Sequence, residues 1–419
     1  MSVGEVVVDD GAGTATGKVR LGIIGLGTQG TVYARMIAAG EAGDLVVTAV
    51  ADVDENLRDH AAQVCAGARF YTDYRQMITS GEVDAVVITT PHYLHPPMAI
   101  AAMEAGVHVL VDKPAGVYTA QVREMNEVAA AHPDVTFAIM FNQRNNPLYQ
   151  RIKQIVDDGV IGPIRRSNWI ITTWWRPDAY FEASPWRATW GGEGGGVLVN
   201  QAPHQLDLWQ WICGMPQSLI AKVGFGFRRD IAVEDEVTVL ADYGQGVTGV
   251  FVTATHDPAG TDRLEILGDR GKIVVEGSAT ATLTRFAADE RELSASLSVA
   301  DGFALAAGGD ASQHYRTEQI DTESAWGAQH AGVLADFASA VRNGTDLLAP
   351  GAEGINGVRL ANAIHLSAWL GKEVPVDFDE QVYLRELNTR IRAEGQFDER
   401  PAPGTPHPPA GDSHPWPGR

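Results

Sequence analysis

Two short segments hold the side chains best suited to moving a proton. In Asp112-Lys113-Pro114 an apolar run ends on a lysine. An amine with an ordinary pKa of about 10.4 becomes a base only where burial or a neighbouring positive charge lowers it. In Asn200-Gln201-Ala202-Pro203-His204-Gln205-Leu206-Asp207 the spacing i, i+4, i+7 predicts Asn200, His204 and Asp207 on one helical face. His204 would then titrate near neutrality, with Asp207 in reach to orient it. Each has a plainer reading: Lys113 as a surface lysine held by the turn at Pro114, His204 as a satisfied histidine in a tryptophan-rich helix. The residues alone leave both open.

A third segment, Gly25-Leu26-Gly27-Thr28-Gln29-Gly30, follows the apolar run Leu21–Ile24 and opens a helical pattern. That arrangement aims free helix N–H groups and the positive end of the helix dipole at a pyrophosphate. Gly25 permits the tight turn, Gly27 the approach of the phosphates and Gly30 the packing of helix on strand. Asp52 ends the next strand, where a carboxylate accepts from ribose hydroxyls and repels a 2′-phosphate, which favours NAD over NADP. Ligands of doubly wound sheets gather at the carboxyl ends of the strands. Thr89-Thr90-Pro91 and Asp112-Lys113 stand at two such ends and join the expected cofactor contacts, where oxidised nicotinamide would lower the lysine further. His95, beside the same turn and just before Pro96-Pro97, is counted with these cofactor contacts, although its plainer reading is a local hydrogen-bonder at a helix start.

Trp169, Trp174, Trp175, Arg176, Tyr180, Phe181, Trp186, Arg187 and Trp190 crowd one stretch. Aromatic faces pack on the C–H faces of sugars while arginines bond hydroxyls, so a carbohydrate pocket is one reading. Core packing is the other, and it must claim some of these residues. No metal site is expected, because His92, His95 and His108 lack a carboxylate or cysteine partner at ligand spacing.

The elements that must position these groups alternate in type up to about residue 144. Apolar runs at Val19–Ile24, Leu45–Ala51, Ala85–Thr89, Val107–Val111 and Thr136–Phe141 are interleaved with helical patterns over Val32–Ala39, Glu55–Val64, the segment after Pro96, and Ala120–Ala131. Strands this hydrophobic, each followed by a helix, predict an α/β Rossmann domain over 19–144 with a doubly wound parallel sheet. After a helix at Leu148–Asp158 the rhythm changes to longer alternating segments: Ser167–Thr173, Leu219–Phe225, Glu236–Tyr243, Val247–Ala254, Arg263–Leu267 and Lys272–Val275. With helices at Gly332–Arg342 and Glu353–Leu370, these predict a second α/β domain over 145–395 with a large open, mostly antiparallel sheet. An uncovered apolar sheet face would suit a homodimer or homotetramer. Residues 1–18 and the proline-rich 396–419 carry no apolar period and read as disordered tails.

Of 419 residues, 45% are hydrophobic and 20% charged, ordinary globular usage for a chain of two-domain length. A net charge of −21 disfavours a nucleic-acid partner. Cys65 and Cys213 form neither a disulfide framework nor a metal cluster, no run is long enough to span a membrane, and the first residues are acidic where a signal peptide is basic. A cytoplasmic protein is expected.

At these motifs the chain resembles the Gfo/Idh/MocA oxidoreductases over about residues 19 to 392. The family's Glu-Lys-Pro appears as Asp112-Lys113-Pro114 after Ala105-Gly106-Val107-His108-Val109, and its Trp-Arg, Gly-Gly-Gly and His-x-x-Asp elements as Trp186-Arg187, Gly194-Gly195-Gly196 and His204 to Asp207. The resemblance implies oxidation of a sugar, polyol or related hydroxyl compound, with Lys113 and His204 handling the hydroxyl proton while hydride passes to nicotinamide C4. It adds Asn142 to the cofactor contacts. For the substrate it implies Lys113, Arg144, Trp174, Arg176, Trp186, Arg187, Asn200, His204 and His330. Family members often carry an aspartate where this chain has Asn200, a departure that leaves the proton to His204 and Lys113. The Asn200-Gln201-x-x-His204 form looks like members acting on the C3 hydroxyl of glycosides or nucleotide sugars, as do Gly327-Ala328-Gln329-His330 and the Leu348–Gly354 segment. A glycosidase that uses NAD transiently, and a non-catalytic NAD-binding regulator, are the alternatives on this fold.

Overall fold

The computed structural model describes residues 17–322 and 329–400; most of the two expected tails, and Gly327 and Ala328, lie outside the described residues. The first sheet contains β1 (Val19–Ile24), β2 (Leu45–Ala51), β3 (Arg69–Tyr71), β4 (Ala85–Ile88), β5 (His108–Val111) and β6 (Phe137–Ile139). All pairings are parallel, in the order 3-2-1-4-5-6. Every residue of β4 is fully buried, because helices cover both faces of the sheet. The strand order reverses between β1 and β4, which opens a crevice at their carboxyl ends.

The second sheet has nine strands: β7 (Ile164–Ile171), β8 (Ser218–Phe225), β9 (Glu234–Gly244), β10 (Val247–Ala254), β11 (Asp262–Gly268), β12 (Gly271–Glu276), β13 (Thr280–Phe286), β14 (Tyr315–Ile320) and β15 (Val374–Pro375). Their order is 14-13-12-11-7-10-9-8-15, and only β7 with β10 is parallel. Period-2 alternation along β9 buries Val237, Val239 and Ala241 and turns Thr238, Leu240 and Asp242 outward. Trp169, Trp209 and Phe251 fill the centre of the covered face, Trp209 and Phe251 stacked at 5.4 Å. The opposite face leaves Ile170, Ile220 and Leu240 exposed.

Two segments cross the expected boundaries. The helix Gln329–Asn343, assigned by sequence to the second domain, buries Val333, Leu334, Phe337 and Ala338 in one cluster with Leu21, Ile23 and Tyr33 of the first. Residues 396–400 pack rather than trail: Arg400 and Asn388 exchange two hydrogen bonds, and the Arg400 guanidinium lies 3.7 Å from the centre of the Tyr93 ring. Among the described residues no helix is long and apolar enough to cross a membrane.

Candidate active site

The glycine turn has the backbone that its sequence requires. Gly25 has φ of +93°, a region that strains any other residue, and a Cβ on Gly30 would lie 2.1 Å from the Gly25 carbonyl oxygen. A Cβ on Gly27 would meet nothing within 4 Å, so this glycine faces open space at the start of the helix Thr28–Ala38. Asp52 closes the turn: its Oδ2 accepts from Leu26 N at 2.8 Å and its Oδ1 from Asp54 N at 2.9 Å. Each oxygen keeps a lone pair for another donor. Thr89 Oγ1 donates to the Gly25 carbonyl at 2.5 Å, tying the end of β4 to the same turn. Open space at Gly27, a free helix N-terminus and a carboxylate at the end of β2 fit a dinucleotide.

Farther along the crevice, β5 runs into Asp112 and Lys113. Asp112 is buried, and its Oδ1 accepts from Tyr33 Oη at 3.2 Å and from Lys113 N at 2.9 Å, which fixes the turn. Lys113 Nζ donates to the main-chain oxygen of Asn200 at 2.8 Å, so the lysine bridges the two domains rather than standing on the surface. Burial lowers its pKa; Asp112 and Glu193 push back, and Arg187 and Arg176 lower it further. Burial, with Lys113 and His330 as positive neighbours, holds His204 well below the ordinary histidine range, and among the described residues its buried Nδ1 has no partner. A satisfied core histidine would need a partner for that nitrogen, and the described residues supply none.

Four sequence assignments change. The helix runs over Pro203–Cys213 and begins at the proline, whose missing N–H suits a first turn, so Asn200 lies in the preceding turn and not on one helical face with His204 and Asp207. Asp207 does not orient His204. It is 1% exposed and accepts two bonds from Arg144, at 2.6 and 2.9 Å. Arg144 correspondingly is committed to the protein rather than presented to a substrate: it is 1% exposed, and with further bonds to Glu353 at 2.5 Å and the Leu348 carbonyl at 3.4 Å it makes four hydrogen bonds within the protein. His95 is likewise not a cofactor contact, because its ring nitrogens lie 2.7 Å from the carbonyl oxygens of Pro114 and Thr90. It ties the Thr90-Pro91 turn to the lysine turn from beneath.

The aromatic stretch divides. Trp169 and Trp190 are core, whereas Trp174 and Trp186 are half-buried, each with an arginine over its ring: Arg176 at 5.9 Å and Arg187 at 4.9 Å. Tyr180 Oη gathers donors from Arg187 at 2.7 Å and from Asn200 and Gln201, each at 3.3 Å. Asn142 Nδ2 lies 3.0 Å from His330 Nε2, and among the described residues its buried Oδ1 has no partner. The structure adds Glu193, 2% exposed and hydrogen-bonded to Asn200, which the sequence reading passed over. Its signal was a lone charge among glycines. Among the described residues no cluster of three ligating side chains could hold a metal ion.

Residues 19–140 match the family model described as an oxidoreductase family with an NAD-binding Rossmann fold, and 149–274 match the GFO/IDH/MocA C-terminal domain. The chain belongs to the Gfo/Idh/MocA oxidoreductase family. As a family member it is an NAD-dependent oxidoreductase with NAD as its cofactor. It is 29% identical over 279 residues to inositol 2-dehydrogenase 2 of Saccharopolyspora erythraea, covering 64% of this chain and 76% of that one. It is 26% identical over 288 residues to levoglucosan dehydrogenase of Pseudarthrobacter phenanthrenivorans, covering 61% and 73%. In fold it is similar to the WlbA dehydrogenase of Bordetella pertussis, solved with NADH and UDP-GlcNAcA, at a TM-score of 0.69 and 23% identity over 86% of this chain and all of that one.

Proposed function

We propose that this oxidoreductase oxidises a secondary hydroxyl of a sugar, glycoside or cyclitol, with the C3 hydroxyl of a pyranoside as its sharper form. One observation carries the reading: an interdomain lysine with a depressed pKa at the end of β5 acts on His204, whose buried Nδ1 has no partner among the described residues. Bound NAD supplies the hydride acceptor. Lys113, lowered by burial, takes the hydroxyl proton, and neutral His204 bonds the same oxygen or its neighbour. Trp174 and Trp186 offer faces to sugar C–H groups, and Arg176 and Arg187 offer donors to hydroxyls. The inositol and levoglucosan dehydrogenases among its relatives support a polyol or anhydrosugar class of substrate. We place self-association into a homodimer or homotetramer on the uncovered sheet face that carries Ile170, Ile220 and Leu240.

A panel of inositols, free hexoses, methyl glycosides and anhydrosugars, read by NADH absorbance and product mass, tests the function. At least one member is expected to give NADH and a ketone lighter by two hydrogens. Glycoside cleavage without net NADH would replace the dehydrogenase with a redox-assisted glycosidase. NAD binding with no chemistry across the panel would favour the regulator.

A further inference from the structure

The Asn200 amide is oriented by its neighbours. Its Nδ2 donates to the Glu193 carboxylate and to Tyr180 Oη at 3.3 Å. An ionised carboxylate only accepts, so both amide N–H groups face the protein and Oδ1 faces away from them. Glu193 is the one charged residue between Gly191 and Gly196. Its Oε2 accepts from Ala188 N at 2.6 Å, and its Oε1 lies 3.9 Å from the Arg187 guanidinium. The same carboxylate acts on Lys113, whose Nζ is bonded to the Asn200 main chain. Above neutrality a negative charge is thus present beside position 200, supplied from the glycine loop in front of the helix.

We propose that Glu193 is a positioning residue for the oxidation: it turns Asn200 Oδ1 toward a substrate hydroxyl and sets a negative charge against the Lys113 amine. The inference rests on the proposed role of Lys113. The titratable groups that face Glu193 are Lys113 after β5, His92 after β4 (Nδ1 3.1 Å from the Glu193 carbonyl), Arg187 on the loop, and Glu234 on β9. Burial pushes the Glu193 carboxyl up to about 7, so its charge is present above neutrality and lost as the pH falls through it. While ionised it favours the lysine cation, and so keeps the Lys113 midpoint higher than burial alone would leave it.

The test is carbon NMR of protein labelled at lysine Cε, which holds only six lysines, with Lys113 assigned through Lys113→Arg. In apo Glu193→Gln the Lys113 midpoint is expected to fall by at least about half a pH unit, and in Glu193→Asp to return close to wild type. The rising alkaline limb of kcat/KM should move down by the same interval in Glu193→Gln, with kcat lower by about tenfold and the Kd of NAD unchanged. Adding Asn200→Asp to Glu193→Gln should restore the limb, a readout that also serves if the single variant folds poorly. An unmoved Lys113 midpoint in folded Glu193→Gln, or no restoration by either aspartate, overturns the proposal while leaving the oxidation intact. An active Lys113→Ala enzyme would instead overturn the oxidation reading beneath it.

Discussion

Lys113→Ala is expected to lower kcat/KM for NAD reduction by about 10³-fold or more while the Kd of NAD changes by less than about threefold. The lysine is the one amine at the carboxyl end of β5, it is held by the Asn200 carbonyl at 2.8 Å, and burial has already lowered its pKa toward that of a working base. No other group inherits all three properties. His204 is held neutral by burial and by the same lysine, so it can bond a hydroxyl without removing its proton unaided. The glycine turn and Asp52 lie in another part of the crevice, which is why cofactor affinity should survive. Steady-state kinetics on the best panel substrate, beside calorimetric titration with NAD, checks both halves of the expectation. Retention of a tenth of the wild-type activity would move the proton to another residue.

Arg144→Met should cost about 3–5 kcal/mol of unfolding free energy, the largest stability effect expected of any substitution near the site. The guanidinium is wedged between the rings of Phe141 and Trp211, each 5.3 Å away, and carries the bidentate pair to Asp207. Methionine fills part of that space and leaves a carboxylate that is 1% exposed with only the Gln210 amide, at 3.0 Å, as partner. The sign with pH follows from burial. The Asp207 carboxyl is raised above its ordinary value even with Arg144 present, and without the arginine it rises further. A raised carboxyl contributes stability below its unfolded pKa and loses it as the pH climbs through the folded one, so the deficit should shrink in acid. Urea unfolding across pH measures it. The double variant Arg144→Met/Asp207→Leu should recover most of the loss, because a buried pair replaced by apolar groups is close to neutral. A deficit under 1 kcal/mol would mean that Asp207 finds another partner.

Most of the first sheet was legible because fully buried parallel strands are written as unbroken apolar runs, and the glycine turn because each glycine answers a separate steric demand. β3 was not: Arg69-Phe70-Tyr71 buries one residue of three, too short for any period. Spacing placed Asp207 near His204 but could not say which partner would claim it, since Arg144 arrives from 63 residues away. Pro203 announced where the helix begins, and reading Asn200 as part of that helix gave the i, i+4 pattern precedence over a stronger local signal. The tryptophans could not be sorted by type, because core and cleft both favour large aromatic faces and only burial separates Trp169 from Trp186. Glu193 was hidden for the opposite reason: glycines on both sides drew attention to the backbone and away from the carboxylate it carries to Asn200.

The central claim, hydride removal from a carbinol carbon, is tested most directly by isotope transfer. The protein is incubated with NAD and methyl β-D-glucopyranoside carrying deuterium at C3, and the nicotinamide product is weighed by mass spectrometry. One deuterium on NADH, with a 3-keto glycoside that has lost it, is the predicted result. NADH formed without deuterium would contradict the C3 assignment, and cleaved glycoside with no NADH and deuterium retained would contradict the dehydrogenase itself.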